Sequence, residues 1–315
     1  MNVMIIGAGM SGLIAGHSLQ ERGFSVTILD KGRGVGGRMA TRRMEDAVFD
    51  HGAQFLTARS EWFSELVDQW VSEGVVAPWF AAHTRKQHVR YRGVPSMNAL
   101  AKHLAEGLDV HTSTTVVSIG RGDSGWNIST EDGKVLAANA CLITAPVPQA
   151  LALVKNIELD VQPDDMQRLH RVEYEPCFAV MCRLASPSQL PEDGPFRPSD
   201  SSSIALIADN AAKGVSPVPS LTIHSTPEFA QTHIEEPDEA HRLMIQEALR
   251  YVKAEIISSV IHRWRYAQPS TQYQAPFCML NSEPALILAG DAFGGARIEG
   301  AALSGLAAAD HLSTL

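Results

Sequence analysis

The sequence predicts an α/β fold, and three observations predict it. The first thirty residues read as strand, glycine turn, helix, strand and acid. Near the other end, Ala285-Leu286-Ile287-Leu288-Ala289-Gly290-Asp291 reads as a buried strand before an Ala-rich terminal helix. Between them, residues 147–280 change character, with short β-like runs among dense prolines and serines. The expected fold is therefore a Rossmann-like domain, a parallel sheet with a β-meander, into which an α+β domain with an antiparallel sheet is inserted.

The first strand is Val3-Met4-Ile5-Ile6, and Gly7-Ala8-Gly9-Met10-Ser11-Gly12 follows it at once. Gly7 allows the tight turn, and Gly9 leaves room for a pyrophosphate against the backbone. Gly12 and Gly16 let the following helix sit close on the sheet. The helix N-terminus, with Met10 and Ser11 in its first turn, offers unpaired N–H groups to phosphates. Phe24 to Leu29 is the second strand, and Asp30 ends it where a carboxylate can accept ribose hydroxyls. Lys31 to Met39 holds four glycines among nine residues, too many for a regular element. Its N–H groups can wrap phosphate oxygens, and Arg38 adds a planar cationic fork. Lys31 and Arg33 stand directly after the acid.

Bulk properties narrow the function. At 315 residues the chain holds one large or two moderate domains. A net charge of −9 argues against nucleic acid or an anionic membrane as partner. Residues 1–20 carry no charge, but they lack a basic leader region and their four glycines suit the nucleotide turn. No other stretch approaches a spanning helix, so a cytoplasmic location is expected. The four cysteines show no metal-ligand spacing and no C-x-x-C; Cys141 and Cys182 sit in apolar runs and are expected as buried thiols. His83 and His88 share a polar loop and are expected to be solvated, so no metal site is expected.

Phe49-Asp50-His51-Gly52-Ala53-Gln54-Phe55-Leu56-Thr57-Ala58-Arg59 and Arg90-Tyr91-Arg92-Gly93-Val94-Pro95-Ser96-Met97 add two distinctive stretches. With the glycine turn, the acid and Gly36-Gly37-Arg38, they resemble the FAD-binding amine-oxidase superfamily, and within it the renalase-type proteins, the bacterial branch in particular. His262-Arg263-Trp264-Arg265-Tyr266-Ala267-Gln268-Pro269 is similar to a further stretch of that branch, so the resemblance runs nearly end to end.

The remaining elements follow in order. Residues 60–76 read as an amphipathic helix entered at Ser60, with Trp62, Phe63, Leu66, Val67, Trp70 and Val71 near one face. Residues 77–92 are expected as strands, and Met97 to Leu108 as a helix. Val110 to Ile119 alternates like one strand, and Trp126–Thr130 with Lys134–Ala138 reads as a hairpin. Ala140 to Pro146 is a buried strand. In the inserted region, strands are expected at Phe178–Leu184, Ile204–Ala208, Leu221–His224 and Ile256–Ile261, with a helix from Asp238 to Lys253. The aromatic and cationic run from His262 suits a planar, phosphate-bearing substrate. Arg297 to Gly305 opens the last helix with small residues. The expected division is 1–60, 93–147 and 281–315 for the FAD-binding domain, and 61–92 and 148–280 for the substrate domain.

The residue reading and the resemblance together imply non-covalent FAD held by Gly7, Gly9, Met10, Ser11, Gly12, Asp30, Lys31, Arg33, Gly37, Arg38, Gly52, Ala53, Gln54, Val116, Ala145, Gly290, Asp291, Arg297, Glu299, Gly300 and Ala301. Gly52 is read as a close approach to the flat cofactor. The resemblance implies oxidation of isomeric dihydronicotinamide dinucleotides, 1,2- or 1,6-dihydro-NAD(P), to NAD(P). Hydride passes to flavin N5 and dioxygen reoxidises the flavin, giving hydrogen peroxide. The flavin then carries the chemistry and no protein residue is assigned as catalytic. The substrate site is expected from Gln54, Phe55, Leu56, Thr57, Ala58, Arg90, Tyr91, Trp264 and Tyr266, with Gln54 on the nicotinamide side. A small-amine oxidase is the alternative, although Phe178–Leu184 lacks the lysine such an enzyme often uses. A non-catalytic flavin-binding redox module and a nicotinamide-only dehydrogenase are weaker alternatives. The preferred isomer, NAD against NADP forms, the oligomeric state and the roles of His51 and Arg59 stay open.

Overall fold

The two N-terminal apolar runs are neighbouring parallel strands, β1 (Asn2–Ile6) and β2 (Ser25–Leu29), joined by α1 (Met10–Glu21). A computed structural model describes residues 1–81 and 88–315; His83 lies outside the described residues. The chain divides into two units. The first is Met1–Gly37, Ala101–Glu173 and Pro269–Leu315; the second is Arg38–Leu100 and Tyr174–Gln268.

In the first unit, β1 and β2 are joined by β7 (Asp109–His111), β11 (Ala140–Ile143), β16 (Cys278–Asn281) and β17 (Leu286–Leu288), in the order β16-β17-β11-β1-β2-β7. All pairings are parallel except β16 with β17. The central strands are uniformly apolar because both faces are covered. One cover is a meander of β8 (Val116–Gly122), β9 (Gly125–Thr130) and β10 (Val135–Ala138). Trp126 anchors it: the ring is buried, and its Nε1–H donates to the Ala285 carbonyl at 2.9 Å. On α1 lies the terminal helix α9 (Ile298–Leu312). A Cβ at Gly305 would fall inside the van der Waals shell of the Ser11 carbonyl oxygen, so the two helices pack backbone to backbone. Helices α4 (Val147–Val154) and α5 (Pro163–His170) belong to this unit, α4 packing on β8. The short α8 (Asp291–Gly294) leads into α9.

The second unit is built on a four-stranded sheet in the order β13-β14-β12-β15, from β12 (Tyr174–Leu184), β13 (Ile204–Asp209), β14 (Ser220–Ser225) and β15 (Ile256–Pro269). β13, β14 and β12 run antiparallel. Alternation along β12 decides what each face meets. Phe178, Val180, Cys182 and Leu184 pack in one core with Ala230 of α6 (Pro227–Thr232) and with Ala240, Met244 and Ala248 of α7 (Pro237–Ala248). Met181 packs instead with Ala47 and Phe49 of a hairpin, β3 (Thr41–Met44) and β4 (Ala47–Asp50). Helix α2 (Glu61–Ser72) and a second hairpin, β5 (Val76–Ala81) with β6 (Val89–Gly93), complete the unit. The boundary at residue 100 falls inside α3 (Met97–Ala105).

Several expected elements change. Val110 to Ile119 is not one strand: the chain breaks at Ser113, which takes φ 54°, and the two halves enter different sheets as β7 and β8. The helices expected over 60–76 and 97–108 stop at Ser72 and Ala105, because Gly74 and Gly107 turn left-handed just beyond them. The helix expected to reach Lys253 ends at Ala248, and α6 precedes it. The strand expected to end at Ile261 runs on to Pro269 and takes the aromatic run into the sheet. The units divide at 37, 100, 173 and 268, where the expected division ran at 60, 92, 147 and 280. The difference follows from packing: the β3–β4 hairpin sits on β14, and α4 sits on β8.

Candidate active site

In the first unit, four segments meet at the carboxyl ends of adjacent strands, where open α/β sheets bind ligands. Gly7 follows β1, Asp30 follows β2, Thr144-Ala145 follows β11 and Gly290 follows β17. Gly7 takes φ 112°, and a Cβ there would lie 2.6 Å from Thr144 Oγ1. A Cβ at Gly290 would lie 3.7 Å from the Thr144 carbonyl oxygen. Asp30 is spent partly on the turn itself: Oδ2 accepts the Ala8 N–H at 2.7 Å and Oδ1 the Gly32 N–H at 2.6 Å. One lone pair on each oxygen remains for a ribose. The glycine loop closes on the turn through the Gly36 N–H to the Ala8 carbonyl at 2.8 Å. Gly37 lies beside it, a Cβ there falling 3.7 Å from Gly9 Cα. Lys31 reaches Gln149 Oε1 at 3.2 Å, and Arg33 is exposed.

The first turn of α1, Met10-Ser11-Gly12, is buried, and Gly9 at its N-cap contributes no side-chain cap. A Cβ on Gly12 would collide with the Gly7 carbonyl oxygen, whereas one on Gly9 would meet no atom within 4 Å. The Ser11 hydroxyl is buried without a hydrogen-bond partner among the described residues. Uncapped N–H groups, an unpaired buried hydroxyl and a glycine facing open space fit a pyrophosphate. The last helix repeats the pattern: Arg297 is its N-cap without a side-chain cap, Glu299 and Gly300 are buried, and Ala301 follows. Asp291 is buried at the start of α8, and Val116 opens β8, partly buried. Gly7, Asp30, Ala145 and Gly290 thus gather on the carboxyl edge of one sheet beside the starts of α1 and α8, while Val116 opens a strand of the separate meander.

In the second unit, the Leu56 and Tyr91 backbones pair in both directions, at 2.9 and 3.0 Å. This bridge brings the Gln54–Thr57 segment beside Arg90–Tyr91. Phe55 makes an edge contact with Phe80 at 5.5 Å between centroids, and the Arg90 guanidinium stands 5.9 Å from the Phe55 centroid. Thr57 is buried and Ala58 partly exposed. Gly52 answers a local need: a Cβ there would collide with the Arg38 carbonyl oxygen, which also accepts the Ala53 N–H at 2.8 Å. Arg38 Nη1 in turn donates to the Ala267 carbonyl at 3.3 Å.

The Gln54 amide is buried and fixed. Its Nε2 donates to the Asp50 carbonyl at 2.6 Å and to the Gly52 carbonyl at 3.3 Å. Its Oε1 accepts from Lys213 Nζ at 3.3 Å. Lys213 is the residue that the sequence reading missed. It lies in the loop after β13, fully buried, 2.8 Å from Asp50 Oδ2 and 4.9 Å from the Trp79 centroid. Burial pushes its pKa down, and the Asp50 carboxylate opposes that shift. Two of its N–H groups donate, to Asp50 Oδ2 and to Gln54 Oε1, and the Trp79 ring faces the ammonium. No local pattern announced it, because its partner stands 163 residues away.

Around the His51 carbonyl lies a cluster of imidazoles. Trp264 Nε1–H donates to that carbonyl at 2.9 Å, and His224 Nε2–H does so at 3.2 Å. The His51 and His262 rings stack at 4.9 Å, with Trp264 edge-on to both. Burial, with the neighbouring cations, holds His51 down to about 3 and His224 to about 4, and lowers His262 as well. Tyr266 points along the same face of β15 but pairs with Tyr174. Arg263 and Arg265 do not join the aromatic cluster expected of them. Strand alternation turns them to the other face, where both pair with Glu235.

Comparison with known proteins agrees with this architecture. Residues 5–70 match an NAD(P)-binding Rossmann-like domain, and residues 77–313 match the family described as flavin containing amine oxidoreductase. The chain is 23% identical to renalase of Mus musculus, over 96% of each chain. Among solved structures, a putrescine oxidase bound to putrescine superposes with a TM-score of 0.74 at 14% identity, over 100% of each chain. A fatty acid isomerase from P. acnes superposes with a TM-score of 0.67 at 13% identity, over 98% of each chain. Those structural likenesses show the fold. The family match over most of the length, together with a glycine turn shaped for a pyrophosphate, identifies the chain as a member of the flavin containing amine oxidoreductase family and an FAD-dependent oxidoreductase.

Proposed function

We propose that the protein oxidises isomeric dihydronicotinamide dinucleotides, 1,2- or 1,6-dihydro-NAD(P), to NAD(P), with dioxygen as the final acceptor. The balance is one dihydronicotinamide, one dioxygen and one proton giving one oxidised nicotinamide and one hydrogen peroxide. The observation that carries this reading is the Leu56–Tyr91 bridge, which gathers Phe55, Phe80 and Arg90 beside the fixed amide of Gln54. Such a surface suits a flat carboxamide ring with phosphates behind it.

When bound, FAD would supply a two-electron acceptor for the hydride and pass those electrons to dioxygen. The chain's own residues have a positioning task. A dihydronicotinamide ring loses hydride from carbon, so no heteroatom must first be deprotonated. The lowered pKa values of His51, His224 and His262 keep these imidazoles neutral near pH 7, in agreement with a reaction that needs no imidazolium acid. Lys213 fixes Gln54 with its oxygen toward the ammonium, leaving one acceptor lone pair for a carboxamide N–H.

The test is product analysis. Each dihydro-NAD isomer incubated with the FAD-loaded protein in air is expected to yield NAD and hydrogen peroxide in equal amounts. Aldehyde release from small amines, with both isomers left intact, would overturn the reading.

A further inference from the structure

Within the second unit, five guanidinium groups meet a carboxylate. Arg183 pairs with Asp46, Arg242 with Glu239, Arg250 with Asp200 and Glu247, and Arg263 and Arg265 with Glu235. Among the described residues, Arg90 and Arg197, like Arg42, Arg43 and Arg92, do not: none of them has a carboxylate within ion-pair distance. Arg90 Nη1 donates to the His88 carbonyl at 2.5 Å, and Arg197 Nη1 to the Ala205 carbonyl at 3.5 Å.

The segments that carry them meet at one ring: the Arg90 guanidinium stands 5.8 Å from the Phe80 centroid, and a Cβ on Gly194, three residues before Arg197, would lie 2.9 Å from the same ring. Arg197 has its pKa lowered first by the crowding around it and next by the charge on Arg90. Other cations stand nearby: the charges of Arg197 and Lys213 both depress His224, and the charge of Arg92 depresses Lys213. Among the described residues, Asp50 pairs with Lys213 alone. A chain with net charge −9 thus carries, among the described residues, two guanidinium groups here with no carboxylate in ion-pair distance.

Both side chains are also held in position. The Arg90 guanidinium stands 5.9 and 5.8 Å from the centroids of Phe55 and Phe80. Arg197 follows Phe196, whose backbone pairs in both directions with Ile207 at 2.8 Å, so its stem is anchored to β13. Arg197 is exposed and Arg90 partly buried, so their charged heads remain open to a ligand.

We propose that Arg90 and Arg197 form an anion seat that takes a phosphate group of the substrate, and that Arg197 makes the enzyme prefer phosphate-bearing dihydronicotinamides over the phosphate-free riboside. Two guanidinium forks can share one tetrahedral dianion, each offering parallel N–H donors, and the ligand's charge removes their mutual repulsion. The choice of substrate rests on the function proposed above; the seat itself does not.

Two measurements on the FAD-loaded protein separate them. In the first, inorganic pyrophosphate is titrated calorimetrically into the wild type and into Arg197→Gln. With FAD bound, the glycine turn of the first unit is already filled. The wild type is expected to bind, and Arg197→Gln at least tenfold more weakly, with Arg90→Lys weakened as well because it keeps the charge but loses the fork. Equal binding by wild type and Arg197→Gln, or binding by neither, overturns the seat. In the second, kcat/KM is compared for 1,6-dihydro-NAD and the corresponding dihydronicotinamide riboside. Arg197→Gln is expected to lower the dinucleotide-over-riboside ratio at least tenfold, with the change falling on KM. An unchanged ratio overturns the seat's part in specificity. If neither compound is oxidised while pyrophosphate binding still depends on Arg197, the proposed function fails and the seat stands.

Discussion

Lys213 Nζ lies 2.8 Å from Asp50 Oδ2, and neither side chain touches solvent. The other carboxylate oxygen accepts from Thr41 Oγ1 at 2.6 Å and from the Met97 N–H at 3.0 Å. One buried ion pair thus ties the β3–β4 hairpin, the start of α3 and the loop after β13, and it holds Gln54 by its oxygen.

Breaking that pair should therefore be costly. Lys213→Met leaves an uncompensated carboxylate in the interior and is expected to cost about 3–5 kcal/mol. Adding Asp50→Asn removes the orphan charge and should recover part of the loss. Denaturant unfolding followed by tryptophan fluorescence reads both variants. A Lys213→Met protein unfolding at the wild-type midpoint would show that the pair contributes nothing.

The imidazole cluster makes the acid limb of stability steep. His51 and His224 titrate near 3 and 4 in the folded protein, against 6.5 in the unfolded chain. Between those values the unfolded chain binds the protons, so stability falls as pH drops from about 6.5 toward 4. Each histidine contributes a slope of about 1.4 kcal/mol per pH unit within that window, and neither contributes above it. Melting temperature against pH is expected to fall less steeply for His224→Asn than for wild type. Parallel curves would mean that His224 is protonated in the folded state.

The glycine turn allows a separation of binding from folding. Gly9→Ala adds a methyl that meets no protein atom, whereas Gly12→Ala drives one into the Gly7 carbonyl. Gly9→Ala is expected to leave the apoprotein's melting temperature within about 2 °C while weakening FAD binding at least tenfold. Gly12→Ala is expected to lower both. Titration of apoprotein with FAD, beside thermal melts, distinguishes the two, and unaltered FAD affinity in Gly9→Ala would remove the pyrophosphate from that spot.

The cysteines predict how FAD is attached. Burial raises the pKa of Cys141, Cys177, Cys182 and Cys278 alike, so no ready thiolate is available for a flavin bond. Acid precipitation is expected to release all yellow colour into the supernatant, and colour retained on the pellet would contradict this.

What the sequence made legible was set by how local each constraint is. Gly7, Gly9, Gly12 and Asp30 act within one strand-turn-helix-strand unit, so their spacing reveals them. Leu286 to Asp291 is legible because a strand covered on both faces must be apolar throughout. The β3–β4 hairpin was not legible: Thr41-Arg42-Arg43-Met44 exposes its arginines and shows no apolar alternation. Ser113 hid a break between two strands because a left-handed serine leaves no trace in hydrophobic pattern. In the second unit, Gln54–Thr57 and Arg90–Tyr91 were expected from resemblance to line one site, but Lys213 and His224 reach that region from β14 and the loop after β13. Tertiary packing alone brings them there. The misplacement of Arg263 and Arg265 had a readable cause, since residues alternating with Trp264 and Tyr266 in a strand must face the other way.

The central claim is that a dihydronicotinamide is the reductant. Anaerobic stopped-flow mixing of the FAD-loaded protein with 1,2- or 1,6-dihydro-NAD, followed at the flavin absorbance band, tests it most directly. Complete bleaching by about one equivalent of at least one isomer, with no bleaching by putrescine or another small amine, is the result predicted. Bleaching by the amine, with the absorbance unchanged by both isomers, would contradict it.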